Sequence, residues 1–97
     1  MSSFLEYSNS IEEMVGESLD DINMAPDERI TKFYNKFYDK YREELPNTFV
    51  RCTLADDPST FKYDDNIVSM STEVYQFEKV YNFHGLYFFI RVVSLNM

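Results

Sequence analysis

The hydrophobic period of this chain changes once, at Thr48, and that change limits the folds open to it. Before Thr48, apolar residues recur every three or four positions, the spacing of amphipathic helices; after it they alternate, the spacing of strands. Helices first and strands second is the order of an α+β domain. At 97 residues the chain has the length of one such domain, residues 1–97, with a helical part over 1–45 and a sheet part over 48–96.

In the helical part, Ser10 followed by Glu13 reads as a capping box and predicts a helix start at Ser10. Ile11, Met14, Val15, Leu19 and Ile22 then fall on one face, and Glu12, Glu13, Glu17, Asp20 and Asp21 on the other. Gly16 in the middle costs about 1 kcal/mol relative to alanine. Pro26 suits the first position of a second helix, where Asp27 and Glu28 complement the dipole. Ile30, Phe33, Tyr34, Phe37, Tyr38, Tyr41 and Leu45 trace one stripe. Arg29, Lys32, Lys36 and Lys40 line the opposite side, with Asp39 and Glu43 beside them to neutralise much of that charge. Pro46 ends the helix.

Beyond Thr48 the composition turns to Val, Ile, Thr, Tyr and Phe. The pattern predicts a strand over Thr48 to Leu54, a turn over Asp56 to Ser59 and a short edge strand over Thr60 to Tyr63. It then predicts one long strand over Ile67 to Tyr81, whose apolar phase switches near Val74 and Tyr75, as a bulge, a bend or two faces buried at different ends would make it. After a tight turn over Asn82 to Gly85, Leu86 to Leu95 carries a continuous apolar run, the mark of a central or doubly covered strand. The expectation is two helices packed on a three- to four-stranded antiparallel meander in two layers. The second helix lays its aromatic stripe on one sheet face, and the first either completes that layer or projects.

Composition removes several classes of function. One cysteine, Cys52, makes no internal disulfide, and no Cys/His cluster offers a zinc or iron–sulfur site. The longest apolar stretch, Leu86 to Ile90, falls far short of the ~20 residues that span a bilayer, and no leader pattern opens the chain, so a cytoplasmic protein is expected, in the host cytoplasm if virus-encoded. Glycine-rich phosphate loops, metalloprotease helices and serine-hydrolase elbows are absent from the sequence, so neither an enzyme nor a cofactor is expected. His84 sits in a turn, and Cys52 alternates with Val50 and Leu54 as a small hydrophobe would. The pairs Asp56–Asp57 and Asp64–Asp65 match no calcium loop and suit turns. The tyrosines and phenylalanines from Tyr34 to Phe89 invite comparison with a stacking platform for single strands, but such platforms lie in positive grooves.

Charge supplies the remaining signal. The formal charge is −8, and residues 1–29 hold eight acids and one base, a balance of −7. That surface repels nucleic acid and anionic membrane and attracts basic partners. Glu13, Glu17 and Asp21 recur every ~6 Å along a helix, and two such rows approach the one phosphate per ~3.4 Å of a DNA strand. No family motif is matched residue by residue; in composition alone the chain resembles virus- or phage-encoded inhibitors, nucleic-acid mimics included. The leading expectation is therefore a non-enzymatic inhibitor whose Glu12, Glu13, Glu17, Asp20 and Asp21 occupy a basic site on a protein partner, such as a nucleic-acid-binding protein or nuclease complex. The alternative is a structural or assembly protein, a homo-oligomer or virion component.

Overall fold

The structure, a computed structural model, describes residues 4–45, 47–61, 68–70 and 74–95, with the backbone alone at 4–6, 68–70 and 74–75. Two helices, α1 (Phe4–Leu19) and α2 (Pro26–Tyr41), precede four strands, β1 (Thr48–Ala55), β2 (Val68–Met70), β3 (Val74–Phe83) and β4 (Leu86–Leu95). The α+β class read from the sequence is the one observed. The chain divides into two compact units, residues 1–44 and 45–97.

In the first unit, Ile11, Met14, Val15 and Leu19 of α1 and Phe33, Phe37 and Tyr41 of α2 are buried. Each such side chain contributes about 1.5–3 kcal/mol when fully removed from water. The Tyr7 and Tyr41 rings meet edge-on at 5.7 Å, and the Phe37 and Tyr41 centroids lie 5.2 Å apart. Helix α2 begins with Pro26 at its first position, and Asp27 and Glu28 occupy its first turn.

Helix α1 differs from its reading at both ends. It starts at Phe4, six residues before Ser10, so no capping box forms there. Ser10 lies inside the helix, and its Oγ accepts a hydrogen bond from Lys40 Nζ at 2.6 Å. The Ser-x-x-Glu pattern carries a cap only where the helix has no earlier turn, and here it has one. The helix stops at Leu19, leaving Ile22 in the following turn with 64% of its surface exposed. The break comes early because Asp21 builds a turn of its own: its Oδ1 accepts from Asn23 N–H at 3.1 Å and its carbonyl from Met24 N–H at 3.2 Å.

Arg29 also departs from its expected place. It is buried on the same side of α2 as Phe33 and Phe37, donating from Nε to Met24 O at 2.9 Å and from Nη1 to Leu19 O at 3.4 Å. Helix α1 has no basic residue in its last turn, and this guanidinium supplies the positive charge that its carbonyl end attracts.

In the second unit the four strands are antiparallel in the order β1-β4-β3-β2. The meander holds from β2 to β4, and β1 joins at β4, which gives the Greek-key order. The continuous apolar run of β4 is explained by its central position, bonded to β1 and β3. Even-numbered residues of β1 and β4 share a face with odd-numbered residues of β3, where Val50, Phe77, Phe88, Ile90 and Val92 are buried. The other face carries Phe49, Arg51, Tyr87, Phe89, Arg91 and Glu78.

Two strand expectations are corrected. The long strand over Ile67 to Tyr81 is two strands that pair with each other, Val68 opposite Phe77 and Met70 opposite Tyr75, so the phase switch marks a chain reversal. Thr60 belongs to a 3-10 turn, Pro58–Thr60, capped by Asp57, whose Oδ1 accepts from Ser59 N–H at 2.9 Å. Phe61 is not in a strand, and the rest of that expected edge strand, Lys62 and Tyr63, lies outside the described residues. The hairpin between β3 and β4 needs only His84 and Gly85, both with positive φ (56° and 83°), the conformation of a type I′ turn.

Candidate acidic interface

The loop from Asp20 to Ala25 reverses the chain, so the end of α1 and the start of α2 come together. Lys32, Lys36 and Lys40, spaced four apart, form one row on α2, and each reaches back to α1. Lys32 Nζ contacts Glu17 O at 3.3 Å and Asp21 Oδ2 at 3.5 Å. Lys36 Nζ meets Glu17 Oε2 at 2.7 Å, and Lys40 Nζ meets Ser10 Oγ. At the far end, Tyr7 OH donates to Glu44 Oε1 at 3.0 Å.

This row corrects the reading that Asp39 and Glu43 neutralise the lysines along α2. The lysines face α1 instead, because the buried stripe turns their side of the helix toward the seam. Asp39 pairs with Arg42, at 3.9 Å between two exposed side chains, an interaction worth little. The Lys36 ammonium holds the Glu17 carboxyl below the usual carboxylate range, first through the hydrogen bond and then through its charge.

Of the five carboxylates read as the site, Glu17 and Asp21 are therefore engaged by lysines of the same unit. Glu13 is exposed on α1, Asp20 is exposed just past its last residue, and Glu12 is half-buried. Residues 1–44 hold eleven acids and five bases, a balance of −6, and residues 45–97 hold six acids and four bases, a balance of −2. All five bases of the first unit are engaged within it: Arg29 with backbone carbonyls, the three lysines across the seam and Arg42 with Asp39. The negative excess is what faces outward.

Asp27 and Glu28 were outside the site as read, yet both are exposed and the loop brings them to the same end as Asp20 and Asp21. Their first-turn position already explained them as dipole partners, so nothing in their spacing offered a second reason to count them. Along the seam, a shallow groove of about 420 Å³ passes Glu13, Glu17, Lys36, Asp39 and Lys40.

The other candidates resolve simply. Cys52 is half-buried and burial pushes its thiol up to about 12, the state of an inert thiol. His84 is an exposed turn residue. Asp57 serves its local turn, with hydrogen bonds from Ser59 holding its carboxyl low, and Asp64 and Asp65 lie outside the described residues. No group of three or more potential metal ligands occurs among the described residues. Tyr34 and Tyr38 stack on each other at 6.4 Å on α2, half-buried, while Tyr41 is in the core. No helix among the described residues is long and apolar enough to cross a membrane. Compared with protein families, curated proteins and solved structures, the chain matches none.

Proposed function

We propose that this protein is a non-enzymatic interaction module, an inhibitor of the virus- or phage-encoded type, whose acidic helical unit docks on a basic protein surface. The observation that carries the reading is the exhaustion of positive charge: every base of residues 1–44 is engaged internally, against eleven acids. Glu12, Glu13 and Asp20 face the partner, with Asp27 and Glu28 extending the surface at the loop end. Glu17 and Asp21 contribute by holding the two helices in register. A basic cleft that normally holds nucleic acid is the sharpest form of the target, because closely spaced carboxylates on a rigid hairpin compete for the same arginines and lysines.

The test compares wild type with the Glu13→Gln/Asp20→Asn/Asp27→Asn/Glu28→Gln variant as bait in cell lysate, with retained proteins identified by mass. Retention by wild type alone of a basic, nucleic-acid-handling protein, released by salt or by duplex DNA, is the expected result. Equal retention by both baits would overturn the reading.

Self-assembly is the rival, favoured by Ile22 and Phe49, large apolar side chains left exposed among the described residues. A sedimentation mass of one chain at high concentration removes it.

A further inference from the structure

Two arginines face each other on the sheet face that carries Phe49. Arg51 of β1 lies directly opposite Arg91 of β4, and Arg91 lies directly opposite Glu78 of β3. Like charges opposed across an antiparallel pair destabilise it, so the arrangement needs a reason other than folding. The row holds one carboxylate for two guanidiniums, and that carboxylate is adjacent to Arg91 alone: Glu78 Oε1 accepts from Arg91 Nε at 2.6 Å and from Gln76 Nε2 at 2.9 Å. The Glu78 side chain is 10% exposed and the Arg91 side chain 51% exposed. A bond through Nε fixes the guanidinium plane and leaves the two terminal nitrogens of Arg91 to donate outward. Arg51 is exposed and forms no ion pair among the described residues.

We propose that this row is a phosphate-binding site, in which Arg51 and Arg91 take the phosphate of a nucleotide-sized ligand and Phe49 takes its planar ring. Two forks side by side suit an anion with three terminal oxygens better than a carboxylate, whose two oxygens satisfy one fork. Arg91 is held in place by Glu78, itself bonded by Gln76, before any ligand arrives, which lowers the ordering cost of binding. Phe49 is two residues from Arg51 on the same face, about 7 Å along the strand, and 59% of its surface is exposed. That spacing matches the step from a phosphate to its attached ring system. A mononucleotide fits better than a strand, because the row holds two cations and the chain as a whole carries −8, which repels a polyanion.

The site is tested by calorimetric titration of the full chain at low salt with inorganic phosphate, adenosine, adenosine 5′-monophosphate, glutarate and a single-stranded oligonucleotide. The monophosphate is expected to bind more tightly than phosphate or adenosine. Arg51→Gln is expected to weaken it about tenfold or more, and Phe49→Leu to bring it toward the affinity of phosphate alone while leaving phosphate unchanged. Arg51→Gln should also raise the thermal midpoint, since it removes the opposed charge, and that rise shows the loss of binding is not a loss of fold. The proposal is overturned by any of four results: no binding of phosphate or monophosphate to wild type, unchanged binding by Arg51→Gln, glutarate as tight as the monophosphate, or an oligonucleotide tighter than the monophosphate.

Discussion

Arg29 is 6% exposed, carries a full charge and meets two carbonyl oxygens and no carboxylate among the described residues. Hydrogen bonds from a charged donor contribute about 1.5–3 kcal/mol, so Arg29→Met should lower stability by about 2–3 kcal/mol, read as a lower urea midpoint at unchanged slope. Lysine cannot reproduce a fork that reaches Leu19 O and Met24 O together, so Arg29→Lys should recover little of the loss. The opposite sign is expected at two buried hydroxyls. Among the described residues, Ser18 Oγ and Tyr41 OH have no hydrogen-bond partner. Removing an unsatisfied buried polar group removes its desolvation cost, so Ser18→Ala and Tyr41→Phe should each be neutral or stabilising by up to about 1 kcal/mol, checked by thermal melts. Glu17 adds a pH dependence. Its folded carboxyl titrates below the unfolded one, so its contribution is present above the usual carboxylate range and fades as pH falls through the lowered value. The acid-side loss of stability should therefore be shallower in Lys36→Met than in wild type.

At the scale of elements, two glycines give opposite predictions. Gly16 lies mid-helix in α1, exposed, with open space where a Cβ would sit, so Gly16→Ala should stabilise by about 1 kcal/mol. Gly85 also has open space, but its φ of +83° is the left-handed region, so Gly85→Ala should cost about 1–2 kcal/mol. Thermal midpoints of the two variants should move in opposite directions from wild type. The start of helix α2 was legible in advance because proline, first-turn acids and a wide stripe all agree on it, but its end, read at Pro46 with Leu45 in the stripe, comes earlier, at Tyr41. The ends of α1 were less legible: a cap pattern at Ser10 and an apolar residue at Ile22 both imitate boundaries that tertiary contacts and the Asp21 turn override. The reversal between β2 and β3 left only a phase switch, since no glycine, proline or asparagine marks residues 71–73. Of the candidate acidic surface, composition named the carboxylates but not which lysines engage Glu17 and Asp21, because whether a lysine row faces its own helix or the neighbouring one depends on how the buried stripe is rotated.

For the whole molecule, charge is unevenly divided, −6 on residues 1–44 against −2 on 45–97. Repulsion among eleven carboxylates outweighs the exposed Glu17–Lys36 pair, which is worth little alone, so raising salt from about 10 mM toward 150 mM should raise the thermal midpoint. A fall would mean the lysine row contributes more than the excess acids cost. The strand order carries a different kind of consequence, one of timing. Strand β4 is bonded to both β1 and β3 and is the last of the four to be made, so β1 has no neighbour in the sheet until Leu86–Leu95 exists. During synthesis the helical hairpin can close as soon as residue 44 is clear, whereas β1 must wait through about forty further residues, at ~5–20 residues per second a pause of seconds. Over that interval the stretch from Thr48 to Ala55 waits for β4, and it is the part of this chain that a chaperone would meet first.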